Sequence, residues 1–182
     1  MEESEYMEDR LRIFYELFER RKSIREFLDK DIEKEKVERL KRILQRAQSA
    51  ANRQPWHFIF VENKGREELN SVFTKEGFKQ APLVIVACAE PKSAWVRKSD
   101  NKNYAWVDVT IAVTEMISAA TAEGLGTCWI AAIDPAAVKH ILNIPDDIEV
   151  VAIIAVGYPK TPLAIEEKNR KRLEDIIHCE KW

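Results

Sequence analysis

Three cations and a hydroxyl crowd into the stretch RKSIREF, residues 21–27. Arg21, Lys22, Ser23 and Arg25 are the side-chain types that hold a phosphate: guanidinium forks, an ammonium and a hydroxyl set against three acceptor oxygens. The same residues would also make a solvated helix end, since 29 lysines and arginines are spread along the chain. A second stretch, QSAANRQPWHF at residues 48–58, has small residues at Ser49, Ala50 and Ala51 that would let a flat ligand come close. Asn52 and Gln54 add paired donors and acceptors, and Pro55 biases Gln54 toward an extended backbone. The alternative is a loop anchored by a buried Trp56. His57, opening a strand, reads as structural rather than catalytic. A third stretch, EGLGTCWIAAIDP, invites a dinucleotide reading that fails. Gly124 follows a helix, Gly126 opens a strand, and Trp129 occupies the place of the third glycine. Gly124 is better read as a left-handed helix cap. The small side chains of Ala131 and Ala132, after Trp129 and Ile130, would expose backbone N–H groups to a planar heterocycle, or simply close a core strand. Lys168, Arg170 and Arg172 add cations near the C-terminus, where a solvated charge run is the plain alternative.

The elements that must position these residues follow from hydrophobic spacing. Residues 6–20 read as a helix with Leu11, Phe14, Tyr15 and Phe18 on one side. Residues 31–50 read as a second helix, capped by Asp31, with Ile32, Val37, Leu40, Leu44 and Ala47 on its apolar face. Short strands are expected at residues 57–62, 82–90 and 127–133, and the longest at 148–158. Residues 65–73 look helical. A long alanine-rich helix is expected over 103–123, buried on most sides. A short helix starts at Asp134 as cap with Pro135 in its first turn. The order is not a regular βαβ alternation, so the expected class is α+β, helices around a small, mostly antiparallel sheet.

Composition narrows the rest. A chain of 182 residues suits one domain, with hydrophobic content of 46% and charged content of 33%. The net charge of −2 supplies no broad basic field for nucleic acid, so an anion site must be local. Cys88, Cys128 and Cys179 are odd in number and widely spaced, which suggests neither zinc nor a disulfide framework and fits a reducing cytoplasm. The acidic N-terminus is no signal peptide, and no apolar run is expected to reach the ~18 residues of a membrane span.

Taken together and in this order, the stretches resemble the nitroreductase family of FMN-binding flavoproteins. RKSIR is similar to that family's R-R-S-x-R opening, and SAANRQPW to its P-S-x-x-N-x-Q-P-W stretch. VDVTIAVTEMISAATAEGLGTCWI resembles its long helix followed by G-L-G-T-C-W-I-G, and IPDDIEVVAIIAVGYP its last strand. RKRLEDIIHCEKW resembles its tail. The resemblance implies one domain over residues 1–182, with an N-terminal extension over 1–12. Residues 160–182 would be an arm exchanged in a homodimer that holds two FMN sites at its interface. It implies that Arg21, Lys22 and Ser23 hold the phosphate and ribityl chain, and that Arg25 reaches the pyrimidine edge. Arg170, with Lys168 or Arg172, would complete the clamp. Ser49, Ala50 and Asn52 would come from the partner, and Trp129, Ile130, Ala131 and Ala132 would run beside the ring. No catalytic acid or base and no metal are implied. NADH or NADPH would reduce the flavin, which would pass hydride from N5 to nitroaromatic, quinone or similar acceptors by a ping-pong route. A flavin store or sensor without turnover, or another FMN reaction such as ene-reduction or dehydrogenation, are the alternatives. The short segment over residues 78–108 leaves out the substrate lid of dehalogenating relatives. The family's glycine is replaced by Ala131, its second arginine by Lys22, and a tail proline by Arg172.

Overall fold

The computed structural model describes residues 3–182. In chain order the elements are α1 (Glu3–Arg20), α2 (Lys34–Arg46), β1 (Trp56–Val61), α3 (Asn63–Glu68), α4 (Glu76–Lys79) and β2 (Leu83–Ala89). They continue with β3 (Val96–Arg97), β4 (Lys102–Asn103), α5 (Ala105–Ala122), β5 (Gly126–Ile130), α6 (Pro135–Leu142) and β6 (Glu149–Gly157). Single 3-10 turns occupy Ala50–Asn52, Leu69–Val72 and Leu173–Asp175. Four strands form one sheet in the order β1-β2-β6-β5, and every neighbouring pair is antiparallel. The class is therefore α+β, with a small antiparallel sheet between helices.

Every residue of β2 is buried, and so is all of β6 after Glu149. Their apolar runs are continuous because both sheet faces are covered. Leu83, Ile85 and Ala87 face α2 and α5, together with Leu40, Leu44, Val109 and Met116. Val84, Val86 and Cys88 face the opposite layer, where Phe73, Phe78, Val138 and Ile148 pack. Helix α5 packs its small and apolar face, Ala112, Val113, Met116 and Ala120, on the sheet. It is long and apolar enough on average to cross a membrane, although Asp108 and Glu115 interrupt its apolar run, and it serves as the core helix and buries Asp108.

Several boundaries differ from the spacing-based reading. α2 starts at Lys34 with Glu33 before it, not at an Asp31 cap. Ile32 already packs on the core ahead of the helix, and the first helical bonds run to Glu33 O from Lys36 N at 2.9 Å and Val37 N at 3.2 Å. β5 stops at Ile130, the last residue paired with β6, opposite Ile153; the chain then turns, with Ile133 N donating to Ala131 O at 3.0 Å. The β3–β4 hairpin has two residues per strand, too few for alternation to register. α6 is as expected: Asp134 Oδ1 accepts from Ala136 N at 2.9 Å, and Pro135 opens the helix.

Candidate functional site

The cationic stretch leaves α1 and lies along the sheet, pinned by its two apolar residues. Ile24 and Phe27 are buried at 7% and 0% exposure, while Ser23, Arg25 and Glu26 point outward. Ile24 N donates to Thr127 O at 2.8 Å, and Leu28 N to Tyr158 O at 2.8 Å. The stretch therefore borders the free edge of β5 and the end of β6. Two glycines make this close approach possible. A Cβ on Gly126 would sit 2.7 Å from Ile24 Cγ1, and one on Gly77 would sit 1.9 Å from the Arg25 carbonyl oxygen.

A cleft of about 390 Å³ opens beside this stretch. It is lined by Arg21, Lys22, Ser23 and Arg25 and by Lys168 and Arg170 from the tail. Cations from two ends of the chain thus meet, about 145 residues apart in sequence. Glu19, Glu166 and Glu167 also line the cleft, which leaves five cations against three carboxylates, an excess of two. The cations are not equivalent. Lys22 is paired with Glu166. Lys168 donates to Phe18 O and so closes the C-terminal end of α1. Arg25 Nη1 makes only a 3.3 Å bond to Ser23 O, and Arg170 Nη1 a 2.8 Å bond to Asn169 O. Among the described residues no carboxylate oxygen lies within 4.0 Å of the Arg21, Arg25 or Arg170 guanidinium. Arg172 is elsewhere occupied, 3.2 Å from Glu174 and 3.2 Å from Asp175.

Ser49, Ala50 and Asn52 lie outside this cleft within one chain. Asp108, in the first turn of α5, accepts from Ala50 N at 2.9 Å. The cationic stretch touches Thr127, just beyond the other end of α5. At 1.5 Å per residue, about 20 Å of helix separates Asp108 from that end. The 49–54 loop is unusual: Ala51, Asn52 and Gln54 take φ of 51°, 53° and 52°. Gln54 is therefore left-handed despite the extended bias from Pro55; Ser49 Oγ accepts its N–H at 2.9 Å and fixes the turn. Asp108 was not among the residues singled out by motif; an acid inside the apolar pattern of α5 is the signal that marks it. Trp56, read as a possible buried anchor, is half-buried against Phe58.

On β5, Trp129 is half-buried on the α2–α5 side and Ile130 is core on the other, while Ala131 and Ala132 are exposed after the strand ends. Gly124 has φ +76°, the left-handed cap expected. Cys88 and Cys128 are buried, and burial pushes the Cys88 thiol up to about 11 and the Cys128 thiol upward. His57 is exposed, 3.6 Å from Glu90. No group of three or more potential metal ligands occurs among the described residues.

Residues 18–76 and 63–158 match the family model for the nitroreductase family. The chain belongs to the nitroreductase family. Among other nitroreductase-family proteins, it is 33% identical over 183 residues to an Archaeoglobus fulgidus protein named NADH dehydrogenase/NAD(P)H nitroreductase, covering 97% of this chain and 100% of that one. It is 28% identical to 5,6-dimethylbenzimidazole synthase of Rhodospirillum rubrum, covering 85% of each. The crystal structure of a nitroreductase family protein from Clostridium difficile has a TM-score of 0.84 at 28% identity, covering 92% of this chain and 98% of that one.

Proposed function

We propose that this nitroreductase-family chain is an FMN-dependent oxidoreductase that takes electrons from NADH or NADPH and passes them to nitroaromatic, quinone or similar acceptors. The observation that carries the proposal is the set of three guanidiniums, Arg21, Arg25 and Arg170, brought to one cleft beside the Ser23 hydroxyl without carboxylate partners. A dianionic phosphate monoester suits that set, because its oxygens match guanidinium forks and it compensates the cleft's positive excess. Lys22 and Lys168 would contribute charge, although each also has a partner within the chain. Bound FMN would supply the hydride chemistry, and the protein's part is to hold and orient it. Arg25 sits beyond Ser23 on the outward side of the stretch, where its positive charge favours a reduced, anionic ring. Ala131 and Ala132 leave open backbone after β5 for the ring's edge.

The distance along α5 supports a site built from two copies of the chain. Ser49, Ala50 and Asn52 are remote from the cleft of their own chain, so they would complete the site of a second copy. The apolar residues left exposed on α1 and the tail, such as Leu11, Phe14, Leu173 and Ile177, fit the burial such a homodimer would provide. Residues 160–182 would act as an arm across the partner, in a single-domain protein of the cytoplasm. The test is anaerobic addition of NADH or NADPH to purified protein loaded with FMN. Bleaching of the yellow colour, restored by a nitroaromatic or quinone, is expected. Yellow protein that never bleaches would favour a flavin store, and protein that no added FMN stains would refute the proposal.

A further inference from the structure

The 49–54 loop and its anchor both work against stability, and both fall at one contact. Ala51, Asn52 and Gln54 hold left-handed φ angles without being glycines. Outliers of this kind concentrate where a function needs a particular backbone shape. Two bonds hold the loop. The one that Gln54 N donates to Ser49 Oγ is local. The bond that Ala50 N donates to Asp108 Oδ1 reaches across 58 residues of sequence. Asp108 itself is 1% exposed, and its Oδ2 has no hydrogen-bond partner among the described residues. A buried carboxylate with one oxygen unsatisfied is costly to keep. Its helix neighbours Ala105, Val109 and Ala112 are apolar, so besides the Ala50 N–H only its place in the first turn of α5 favours the charge.

We infer that Asp108 is a positioning residue of the cofactor site, holding the Ala50 N–H so that Ser49, Ala50 and Asn52 keep the strained shape in which they face the flavin. The inference rests on the FMN reading above. Asp108 touches no ligand; it acts through the loop. About 20 Å of helix separates Asp108 from the end of α5 that the cationic stretch approaches, so the site it serves is that of the second copy.

The experiment titrates the flavin-free full chain with FMN, reads flavin fluorescence, and records the melting curve of the same samples. Asp108→Ala is expected to weaken FMN binding about tenfold or more, one charge-assisted bond's worth of positioning. Asp108→Asn keeps a carbonyl oxygen for Ala50. It is expected to bind within about threefold of wild type and to melt no lower, because a neutral amide is easier to bury. Should Asp108→Ala fail to fold, the double change Ala50→Pro with Asp108→Ala removes donor and acceptor together and leaves neither unpaired. Ser49 is already extended, at φ −146° and ψ 157°, as a residue before proline must be. The double variant is expected to fold and to bind FMN as Ala50→Pro alone does, because without the Ala50 N–H the carboxylate has nothing to hold. Wild-type affinity in Asp108→Ala, an Asp108→Asn chain as impaired as Asp108→Ala, or a double variant that binds more weakly than Ala50→Pro alone overturns the inference alone. A wild-type chain that takes up no FMN overturns the reading beneath it, and the inference with it.

Discussion

Gly124 and Gly126 stand two residues apart, and replacing each by alanine costs stability for a different reason. At Gly124 a Cβ meets nothing within 4 Å, but φ is +76°. The cost of Gly124→Ala is conformational, about 1–2 kcal/mol for a side chain in left-handed backbone. At Gly126 the Cβ would lie 2.7 Å from Ile24 Cγ1, 2.9 Å from its Cβ and 3.0 Å from its Cγ2. Carbon atoms pack at about 3.5–4.0 Å, so something must yield by about 0.8 Å. β5 is held by its ladder to β6, so Ile24 is the group that moves. It carries Ser23 and Arg25 with it and strains the 2.8 Å bond from its N–H to Thr127 O. Overpacking of this kind costs about 1–3 kcal/mol, and at this chain length each kcal/mol lowers the melting temperature by about 2–4 °C. The two variants should therefore melt at similarly reduced temperatures. Only Gly126→Ala should lose FMN affinity, by about tenfold, as a displaced Ser23–Arg25 pair would forfeit roughly 1.4 kcal/mol. Fluorescence titration with FMN beside a melting curve makes the comparison. Equal FMN affinity in the two variants would refute the claim that packing of Ile24 sets the cationic stretch.

The remaining predictions concern single side chains. Arg21→Ala should weaken FMN binding about tenfold, whereas Arg172→Ala, already neutralised by Glu174 and Asp175, should change it by less than about twofold; equal losses by titration would contradict the division of cations. At pH 8 only about one Cys88 thiol in a thousand is ionised, because burial raises it to about 11. A thiol reagent should accordingly modify at most one cysteine per native chain, the exposed Cys179, and all three after denaturation. Glu123 is held below its ordinary value by hydrogen bonding to Arg39. A depressed carboxylate contributes stability above its unfolded value and loses it as pH falls through the folded one. Glu123→Gln should therefore melt below wild type near neutral pH, with the gap closing as the pH falls below the ordinary carboxylate range; a gap that widens in acid would reverse the sign.

Much of the layout was legible from local chemistry. The apolar runs of β2 and β6, the Asp134–Pro135 start of α6 and the left-handed Gly124 depend on nearest neighbours and on the period of burial, both of which are written in order along the chain. The cationic stretch was legible as a candidate because charge density is a local property. What only the tertiary structure decided is which of those charges remain available. Lys22, Lys168 and Arg172 look like Arg21 and Arg170 in sequence, but folding gives the first three partners from Glu166, Phe18 and Glu174 with Asp175. Asp108 could not be tied to Ala50 by spacing, since 58 residues separate them. The physical reason is the same in each case: periodicity records which side of an element is buried, while pairing and strain depend on what the rest of the chain places against that side.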